Sequence, residues 1–530
     1  MGAKETIQAG KAVLGIEFGS TRIKAVLIDE SNKPIAQGSH EWENQLVDGL
    51  WTYSIEAIWY GLQDCYADLR KNVLKDYDTE IERLAAIGIS AMMHGYMAFN
   101  EKEEILVPFR TWRNTNTGKA AKALSELFNY NIPLRWSISH LYEAILDNEE
   151  HVKDITFQTT LAGYIHWQLT GEKVLGVGDA SGMMPIDPKT KNYDAAMVEK
   201  FNTLISPFNF PWKILDIFPK VLCAGENAGF LTPEGAKKLD ISGHLNAGIP
   251  LCPPEGDAGT GMAATNAVRQ RTGNVSAGTS SFSMIVLEKE LSKPYEPIDI
   301  VTTPDGSLVA MVHCNNCTSD INAWVNLFKE YQQMLGVEVD MGEIYTKLFN
   351  KALEGAADCG GLISYNYVSG EPVTGMEEGR PLFVRSANDK FNLANFMRAH
   401  LYGAIGVLKI GNDILLKEEQ VKVDRLMGHG GYFKTPGVGQ RMLAAALNSP
   451  ISVMQTAGEG GAWGIALLAA YVVSNDEKLD LADWLDQKVF AGDQGSEIAP
   501  TAEDVEGFNK YIEAYKTGLA IEQAAVANKK

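Results

Sequence analysis

The sequence predicts an α/β protein built from two related halves. Strand-like and helix-like segments alternate along all 530 residues, a pattern typical of α/β folds. A glycine–hydroxyl hairpin at residues 19–21 lies near the start of the chain, and a second one at residues 278–280 follows a turn-rich segment at 269–274. We therefore expect an N-terminal domain over residues 1–270 and a C-terminal domain over residues 271–530, each offering one turn to a shared ligand.

The elements that open the first half follow from apolar patterning. Residues 13–18 and 23–28 are apolar runs separated by only four residues, which predicts two buried strands joined as a hairpin. A third strand is expected at residues 35–42. Ser54 is a suitable cap for a helix whose apolar side chains recur at helical spacing, and residues 85–90 form a further short apolar strand.

Charge and composition exclude several classes of protein. The net charge is −20, and a field of that sign repels nucleic acid and anionic lipid. The longest apolar run, residues 462–473, is too short to span a bilayer, and residues 1–11 lack the apolar core of a secretory signal. Six cysteines do not make a disulfide framework. We expect a cytoplasmic protein with neither a nucleic-acid nor a membrane partner.

The first hairpin has the composition of a phosphate-binding turn. Gly19 allows backbone N–H groups to approach an anion closely, and Ser20 and Thr21 add hydroxyl donors. Glu17, at the end of the preceding strand, can bind a cation through water. The alternative is an ordinary tight hairpin without a ligand.

A second candidate is the Gly256–Asp257 pair, which follows the apolar residues 249–251 and precedes a run of small residues. Asp257 is expected at a helix N-terminus, where its charge is favoured. It is either a structural capping group or a general base that accepts a proton from a substrate hydroxyl.

Other segments are weaker when taken alone. The glycine-rich loop at 428–434 can pass under a flat base without side-chain clash. The segment 459–464 opens an apolar helix, for which a close helix–helix crossing is an equal explanation. His94 follows the strand that ends near residue 90, and it is either a buried structural histidine or a contact to a sugar hydroxyl.

Taken in order, these segments resemble the FGGY family of carbohydrate kinases, and the match covers nearly the whole chain. The resembling segments are the phosphate motifs at 15–24 and 278–280, the Gly–Trp segment at 49–59, the sugar strand and loop at 86–95, the W-x-D position at 112–114, L-T-G-E at 169–172, D-A-S-G at 179–182, Gly-Asp at 256–257, the segment at 369–371, and the adenosine-side segments at 430–431 and 459–462.

The resemblance implies an α/β fold of two actin-like (ribonuclease H-like) ATPase domains with an interdomain cleft. It implies ATP and Mg²⁺ as cofactors, Asp257 as the catalytic base, and Glu17 and Asp257 on the metal. The implied sugar-binding residues are Met93, His94, Trp112, Asn114 and Asp257. The implied nucleotide-binding residues are Gly19, Ser20, Thr21, Lys24, Gly278, Thr279, Ser280, Gly430, Gly431 and Lys434.

The predicted activity is phosphorylation of a small sugar, with a ketopentose such as xylulose or ribulose as the leading substrate because residues 93–95 resemble xylulose kinases. Glycerol, gluconate and 6-deoxyketoses stay open within the family. Glu17 and Asn114 stand where the family commonly has Asp, and Ala258 stands where it often has Asn or Gln; we expect the last two to shift sugar preference.

Two alternatives from other classes stay open, a non-catalytic sugar or nucleotide sensor on the same fold and an ATPase whose partner is a protein. Retention of Asp257 and of both hairpins favours the kinase over the sensor. A homodimer is compatible with the sequence.

Overall fold

The chain divides into two compact units in the computed structural model, which describes residues 2–338, 340–454, 460–492 and 495–528. The first unit comprises Met1–Val268, Ile300–Val309 and Glu459–Ala491, and the second comprises Arg269–Asp299, Ala310–Gly458 and Gly492–Lys530. The first unit thus draws on two later segments. Division of the chain into family domains at residue 270 stays a prediction.

Five strands form the main sheet of the first unit, in the order β13-β6-β1-β2-β3. The remaining strands of this region pair in twos, β4 with β5, β7 with β8, β9 with β12 and β10 with β11. The strands are β1 (Val13–Phe18), β2 (Arg22–Ile28), β3 (Pro34–Glu41), β4 (Gln45–Val47), β5 (Leu50–Thr52), β6 (Ala86–Ala91), β7 (Met97–Phe99), β8 (Phe157–Thr159), β9 (Val174–Gly176), β10 (Ile186–Asp187), β11 (Asn192–Tyr193), β12 (Lys220–Leu222) and β13 (Glu255–Gly256).

Seven strands form the main sheet of the second half, in the order β16-β17-β15-β14-β20-β21-β22, and β18 pairs with β19. These strands are β14 (Thr272–Ala277), β15 (Ser281–Val286), β16 (Ile298–Thr302), β17 (Leu308–Cys314), β18 (Ile363–Tyr365), β19 (Leu382–Val384), β20 (Arg425–His429), β21 (Ile451–Val453) and β22 (Ser496–Ile498).

Helices lie between successive groups of strands. In chain order they are α1 (Ala3–Gln8), α2 (Ile55–Tyr77), α3 (Gly118–Phe128), α4 (Ser137–Leu146), α5 (Leu161–Thr170), α6 (Val177–Ala180), α7 (Ala195–Ile205), α8 (Ile214–Ile217), α9 (Pro233–Leu239), α10 (Asp257–Ala264), α11 (Ser319–Met334), α12 (Met341–Ala352), α13 (Leu393–Asp413), α14 (Val438–Leu447), α15 (Gly460–Ser474), α16 (Leu481–Trp484), α17 (Ala502–Thr517) and α18 (Leu519–Ala527). None of these helices is long and apolar enough to cross a membrane.

The elements predicted from local patterning are confirmed. β1, β2 and β3 form the expected antiparallel run, and Ser54 caps α2 by accepting a hydrogen bond from the N–H of Ala57 at 3.1 Å. Position 38 of β3 requires glycine, because a Cβ there would lie 2.7 Å from Cα of Leu69 on α2. Helix α2 therefore packs directly on the sheet.

Helix α15 packs against the other face of this sheet at very short range. A Cβ at Gly15 would lie 2.6 Å from the backbone N of Ala466, and one at Gly88 would lie 2.6 Å from the carbonyl oxygen of Ile465. On the helix itself, a Cβ at Gly464 would overlap the carbonyl oxygen of Thr260 on α10. Glycine at these positions lets α15, α10 and the sheet approach backbone to backbone.

The three parallel strands β1, β6 and β13 end at one edge of the sheet. Phe18 pairs with Ala91 and Ala91 pairs with Gly256, so the strands end in register. Because neighbouring strands lie about 4.8 Å apart, the loops that follow them are neighbours too. These loops carry the first hairpin, residues 92–94 and Asp257.

The second sheet has a corresponding edge. Strands β14 and β20 are parallel neighbours, with Ser276 opposite His429, so the second hairpin and the loop that starts at Gly430 leave the sheet side by side. The two hairpins expected from the sequence are therefore each found at the carboxyl end of a parallel strand pair.

Candidate active site

Asp257 is the first residue of α10, as the sequence predicted. Its Oδ1 accepts a hydrogen bond from the N–H of Met93 at 3.1 Å. Solvent reaches the side chain, while the surrounding protein desolvates the carboxylate and raises its pKa. Hydrogen bonds from the N–H groups of Met93 and Ala258 act in the opposite direction. The result is an accessible, oriented carboxylate at the sheet edge.

Glu17 lies close to Asp257 and carries a raised pKa of about 7, first because it is buried and then because of the Asp257 charge. Its Oε2 accepts a hydrogen bond from the N–H of Ala462 in the first turn of α15, at 3.2 Å. Lys24 lies directly across the β1–β2 pair from Glu17, and its charge lowers the Glu17 pKa. Lys24 is thus an electrostatic neighbour of the carboxylate, and its predicted contact with nucleotide stays a prediction.

Two further carboxyl groups, not assigned from the sequence, extend this cluster. Glu255 accepts hydrogen bonds from the N–H groups of Gly178 at 3.1 Å and Asp179 at 2.8 Å, and burial followed by the Asp179 charge raises its pKa to about 8. Asp179 accepts a hydrogen bond from Thr160 at 2.7 Å, and burial raises its pKa to about 7, with a contribution from Asp257. Four carboxyl groups therefore interact in the first unit.

The sequence gives only a partial indication that Glu255 and Asp179 belong to the site. Glu255 stands two residues before Asp257, and Asp179 opens the D-A-S-G segment. What brings them together is the approach of α6 to β13, where a Cβ at Gly176 would lie 2.5 Å from the Glu255 carboxyl carbon.

His94 lies beside this cluster in a constrained conformation. Its φ is +69°, and its ring stacks on Trp136 at 6.4 Å between centroids. Burial and the nearby Arg135 charge hold its pKa well below the usual value. Nδ1 lies 3.3 Å from the carbonyl oxygen of Gly182, and since a carbonyl only accepts, Nδ1 carries the proton and Nε2 of the neutral ring is an acceptor.

The indole of Trp112 donates to the hydroxyl of Ser20 at 3.2 Å, which ties the predicted sugar side to the first hairpin. The side-chain amide of Asn114 is hydrogen-bonded to backbone groups. Its Oδ1 accepts from the N–H of Trp51 at 2.8 Å, and its Nδ2 donates to the carbonyl oxygens of Trp51 at 2.8 Å and Thr111 at 3.0 Å. Because both N–H donors are used for backbone, we expect Asn114 to position β5, and its predicted sugar contact stays a prediction.

The first hairpin is closed and anchored by its own backbone and by aromatic side chains. The N–H of Gly19 donates to the carbonyl oxygen of Arg22 at 2.9 Å, so this N–H is used for closure rather than left for phosphate. The carbonyl of Gly19 accepts from Trp42 Nε1 at 2.8 Å, and that of Ser20 accepts from the Tyr53 hydroxyl at 2.6 Å. In a trans peptide the following N–H points away from the carbonyl. The N–H groups of Ser20 and Thr21 therefore face away from these anchors.

The second hairpin is also closed by the N–H of its glycine, but its loop is one residue shorter and its anchors are different. The N–H of Gly278 donates to the carbonyl oxygen of Ser280 at 2.9 Å, the N–H of Thr318 donates to that of Gly278 at 3.0 Å, and the N–H of Cys317 donates to that of Thr279 at 2.9 Å. By the same geometry, the N–H groups of Thr279 and Ser280 point away from residues 317–318.

The glycine-rich loop beside the second hairpin also has a structural requirement. Gly430 has φ +102°, and a Cβ there would lie 2.5 Å from the carbonyl oxygen of Ala277. Gly431 has open space at its Cβ position, and Lys434 is exposed. Packing therefore explains Gly430 but not Gly431 or Lys434. A nucleotide-binding role for these three residues stays a prediction.

Of the segment 459–462 predicted for the adenosine side, the structure describes residues 460–462. Glu459 lies outside the described residues. Gly461 is packed against Glu17, and a Cβ on it would lie 2.8 Å from the Thr260 hydroxyl. The close-crossing explanation therefore accounts for Gly461 and Gly464, and the start of α15 lies beside Glu17 in the first unit.

Two family models match this chain. The N-terminal domain of the FGGY family of carbohydrate kinases matches residues 12–262, and the C-terminal domain matches residues 273–473. The chain belongs to the FGGY family of carbohydrate kinases.

Relatives with known names and structures agree with this assignment. The xylulose kinase of Lactococcus lactis subsp. lactis is 20% identical over 528 residues, covering 95% of this chain and 95% of that protein. Two solved structures from Lactobacillus acidophilus, a ligand-bound xylulose kinase and a gluconate kinase, have TM-scores of 0.76 and 0.77; each is 19% identical and covers 98% of this chain and 99% of theirs. At this identity the structures establish the fold, that of a two-domain actin-like ATPase.

The predicted class of activity is confirmed at this level. The protein is an enzyme, a sugar kinase, and the family implies ATP as one of its substrates.

The hydrogen bonds of Asn114 make a prediction about stability. Asn114→Asp removes both N–H donors, leaves the carbonyls of Trp51 and Thr111 without this partner, and buries a carboxylate. We expect a loss of about 2 kcal/mol or more in the free energy of unfolding. Asn326→Asp is the matched control, since Asn326 is exposed within α11 and should change stability by no more than about 0.5 kcal/mol. Equal losses in the two variants, measured by denaturant unfolding, would contradict the positioning role.

The open space at Gly278 allows a direct test of phosphate approach. No atom lies within 4 Å of its Cβ position, and its φ is not left-handed, so Gly278→Val should fold with near-normal stability. We expect ATP affinity to fall at least about tenfold, because a branched side chain obstructs the N–H groups beside it. Gly118→Val, also at an open glycine but outside every predicted site, is the control. Calorimetry with ATP decides, and unchanged affinity at position 278 would remove this hairpin from the nucleotide site.

Proposed function

We propose that the enzyme transfers the γ-phosphate of ATP to a hydroxyl of a ketopentose such as xylulose or ribulose. The observation that carries the proposal is the Asp257 carboxylate, which is accessible to solvent and oriented by the N–H of Met93. Phosphoryl transfer requires little covalent chemistry from the protein, so one positioned carboxylate near the acceptor hydroxyl would supply the base that the reaction needs.

Asp257 would accept the proton of the attacking hydroxyl. A raised pKa makes the carboxylate a stronger proton acceptor than an exposed aspartate, provided that the pH stays above that pKa. Activity should therefore fall on the acid side as Asp257 becomes protonated.

His94 supports recognition of a neutral polyol. With Nδ1–H directed to Gly182 and the ring uncharged, Nε2 can accept a hydrogen bond from a sugar hydroxyl. Met93 and His94 follow the same strand, so the residue that orients Asp257 and the residue that would hold the sugar are adjacent in one loop.

The acidic cluster favours a neutral sugar over gluconate. Glu17, Asp179, Glu255 and Asp257 interact with one another, and each pKa is raised. A carboxylate on the substrate would meet the same desolvation and the charge of Asp257, both of which disfavour a further ionised carboxyl group. This argument and the xylulose kinase relative both favour a ketopentose.

Glu17 and Asp257 have the donor chemistry for Mg²⁺, which prefers oxygen ligands and commonly uses one or two carboxylates together with water and substrate phosphate. No set of three or more acidic, histidine or cysteine side chains suited to a metal occurs among the described residues. When bound, Mg²⁺ neutralises charge on the transferring phosphoryl group. The chain's own part is to hold these two carboxylates close together.

The outward N–H groups of the hairpins are the proposed phosphate donors. In the first unit these are Ser20 and Thr21 and in the second Thr279 and Ser280, with both threonine side chains exposed. Backbone donors fixed in advance cost no reorganisation when charge develops on the phosphoryl oxygens. Gly430, Gly431 and Lys434 are the proposed adenosine-side residues.

The substrate is tested with a coupled assay of ADP formation across D-xylulose, L-xylulose, D-ribulose, L-ribulose, glycerol and gluconate. We expect kcat/KM for one ketopentose to exceed that for gluconate and glycerol by at least about tenfold. A preference for gluconate or glycerol, or ADP formation that does not depend on sugar, would contradict the proposal.

The role of Asp257 predicts a large and specific kinetic defect. Asp257→Asn should lower kcat about 10²–10⁴-fold, because an amide cannot take the proton, while ATP affinity changes little. Asp187→Asn, at a turn aspartate of the same unit that accepts from the N–H of Lys189, is the matched control and should keep full activity. If kcat of Asp257→Asn stays within a few-fold of the parent, Asp257 is not the base.

A further inference from the structure

The orientation of the second hairpin depends on residues 316–318. Thr318 binds the carbonyl oxygen of Gly278 twice, through its N–H at 3.0 Å and its hydroxyl at 2.7 Å, and the N–H of Cys317 binds that of Thr279 at 2.9 Å. Any rotation of these peptide planes would break the anchors. The direction of the Thr279 and Ser280 N–H groups is therefore set by the segment behind them.

That segment is in turn fixed by Asn316, which is buried. The N–H and the Nδ2 of Asn316 each donate to Glu371 Oε1 at 2.7 Å. Its Nδ2 also donates to the carbonyl oxygen of Ser369 at 3.0 Å, and its Oδ1 accepts from the N–H and the hydroxyl of Ser369 at 2.9 Å and 3.2 Å. Asn316 thus joins residues 369–371 to the segment that anchors the hairpin, alongside its neighbour Asn315, whose Nδ2 donates to the carbonyl oxygen of Gly370 at 2.9 Å.

Glu371 is fully buried, and burial raises its pKa to about 7. Among the described residues, its Oε1 holds Asn316 and its Oε2 has no hydrogen-bond partner. A buried carboxyl group without a cation is a poor means of stabilising a fold. Its contacts instead serve to fix Asn316.

We propose that Asn316 and Glu371 are positioning residues for nucleotide binding. They hold residues 316–318, and those residues aim the N–H groups of Thr279 and Ser280 at the phosphates. This inference rests on the proposed function of the hairpin. The first hairpin achieves the same orientation with Trp42 and Tyr53, whereas the second relies on a buried polar network.

The test compares two buried asparagines of the same unit. Asn316→Ala removes the link, while Asn395→Ala removes an asparagine that accepts from the N–H of Ala356 and donates to the carbonyl of Lys390, both at 2.7 Å, and has no bond to the hairpin segment. We expect Asn316→Ala to raise both the Kd and the KM for ATP about tenfold, with KM for the sugar within twofold. Asn395→Ala should leave ATP affinity within twofold of the parent, even if its melting temperature falls as much as that of Asn316→Ala.

Conservative changes separate positioning from general loss of stability. Glu371→Gln keeps the Oε1 acceptor and should retain near-normal ATP affinity. Glu371→Ala removes that acceptor and should weaken ATP binding as much as Asn316→Ala does. If Asn316→Ala does not fold, Asn316→Ser is measured in the same way. Equal ATP affinity in the position 316 and position 395 variants would overturn the inference.

Failure of this inference can be told apart from failure of the proposed function. If Gly278→Val weakens ATP binding and Asn316→Ala does not, the hairpin binds nucleotide but these two residues do not position it. If neither variant changes ATP affinity, the assignment of the hairpin itself is wrong.

Discussion

The close packing of α15 on β1 and α10 is the constraint on which the candidate site depends. A side chain at Gly15, Gly461 or Gly464 would overlap neighbouring atoms, so the first turn of the helix reaches Glu17 only because these positions are glycine. There the N–H of Ala462 stabilises the ionised form of the carboxylate, against the burial that raises its pKa. The same packing sets α10, which begins with Asp257, against the sheet. An apolar helix from late in the chain thereby helps to set the charge state of a residue near its start.

A second constraint is the planarity of the peptide bond. Binding the carbonyl oxygens of Gly19, Ser20, Gly278 and Thr279 turns the next N–H in each hairpin away from its anchor. In the first hairpin the anchors are the aromatic donors of Trp42 and Tyr53, which stack on each other at 4.1 Å. In the second they are backbone and hydroxyl groups of residues 317–318. An outward-facing N–H can thus be obtained with unrelated anchoring groups.

Much of the fold could be predicted because its signals are local. The apolar runs of β1 and β2, the Ser54 cap and the start of α10 at Asp257 each depend on a few consecutive residues. The partners of Asn114 and the approach of Asp179 to Glu255 could not be predicted, because they join segments that are far apart in sequence and leave no periodic trace. The same holds for α15, which lies in the second half of the sequence yet belongs to the first unit.

The central claim is that Asp257 takes the proton from the acceptor hydroxyl of a ketopentose. The most direct measurement is a crystal structure with the preferred ketopentose and a non-hydrolysable ATP analogue, in which the distance from the acceptor hydroxyl oxygen to the nearer Asp257 carboxylate oxygen is read. The account predicts a distance of about 2.6–3.2 Å, the range in which a base can take that proton, with the same hydroxyl facing the γ-phosphate. A bound sugar whose γ-phosphate-facing hydroxyl is bonded to another group, with Asp257 out of reach, would contradict it.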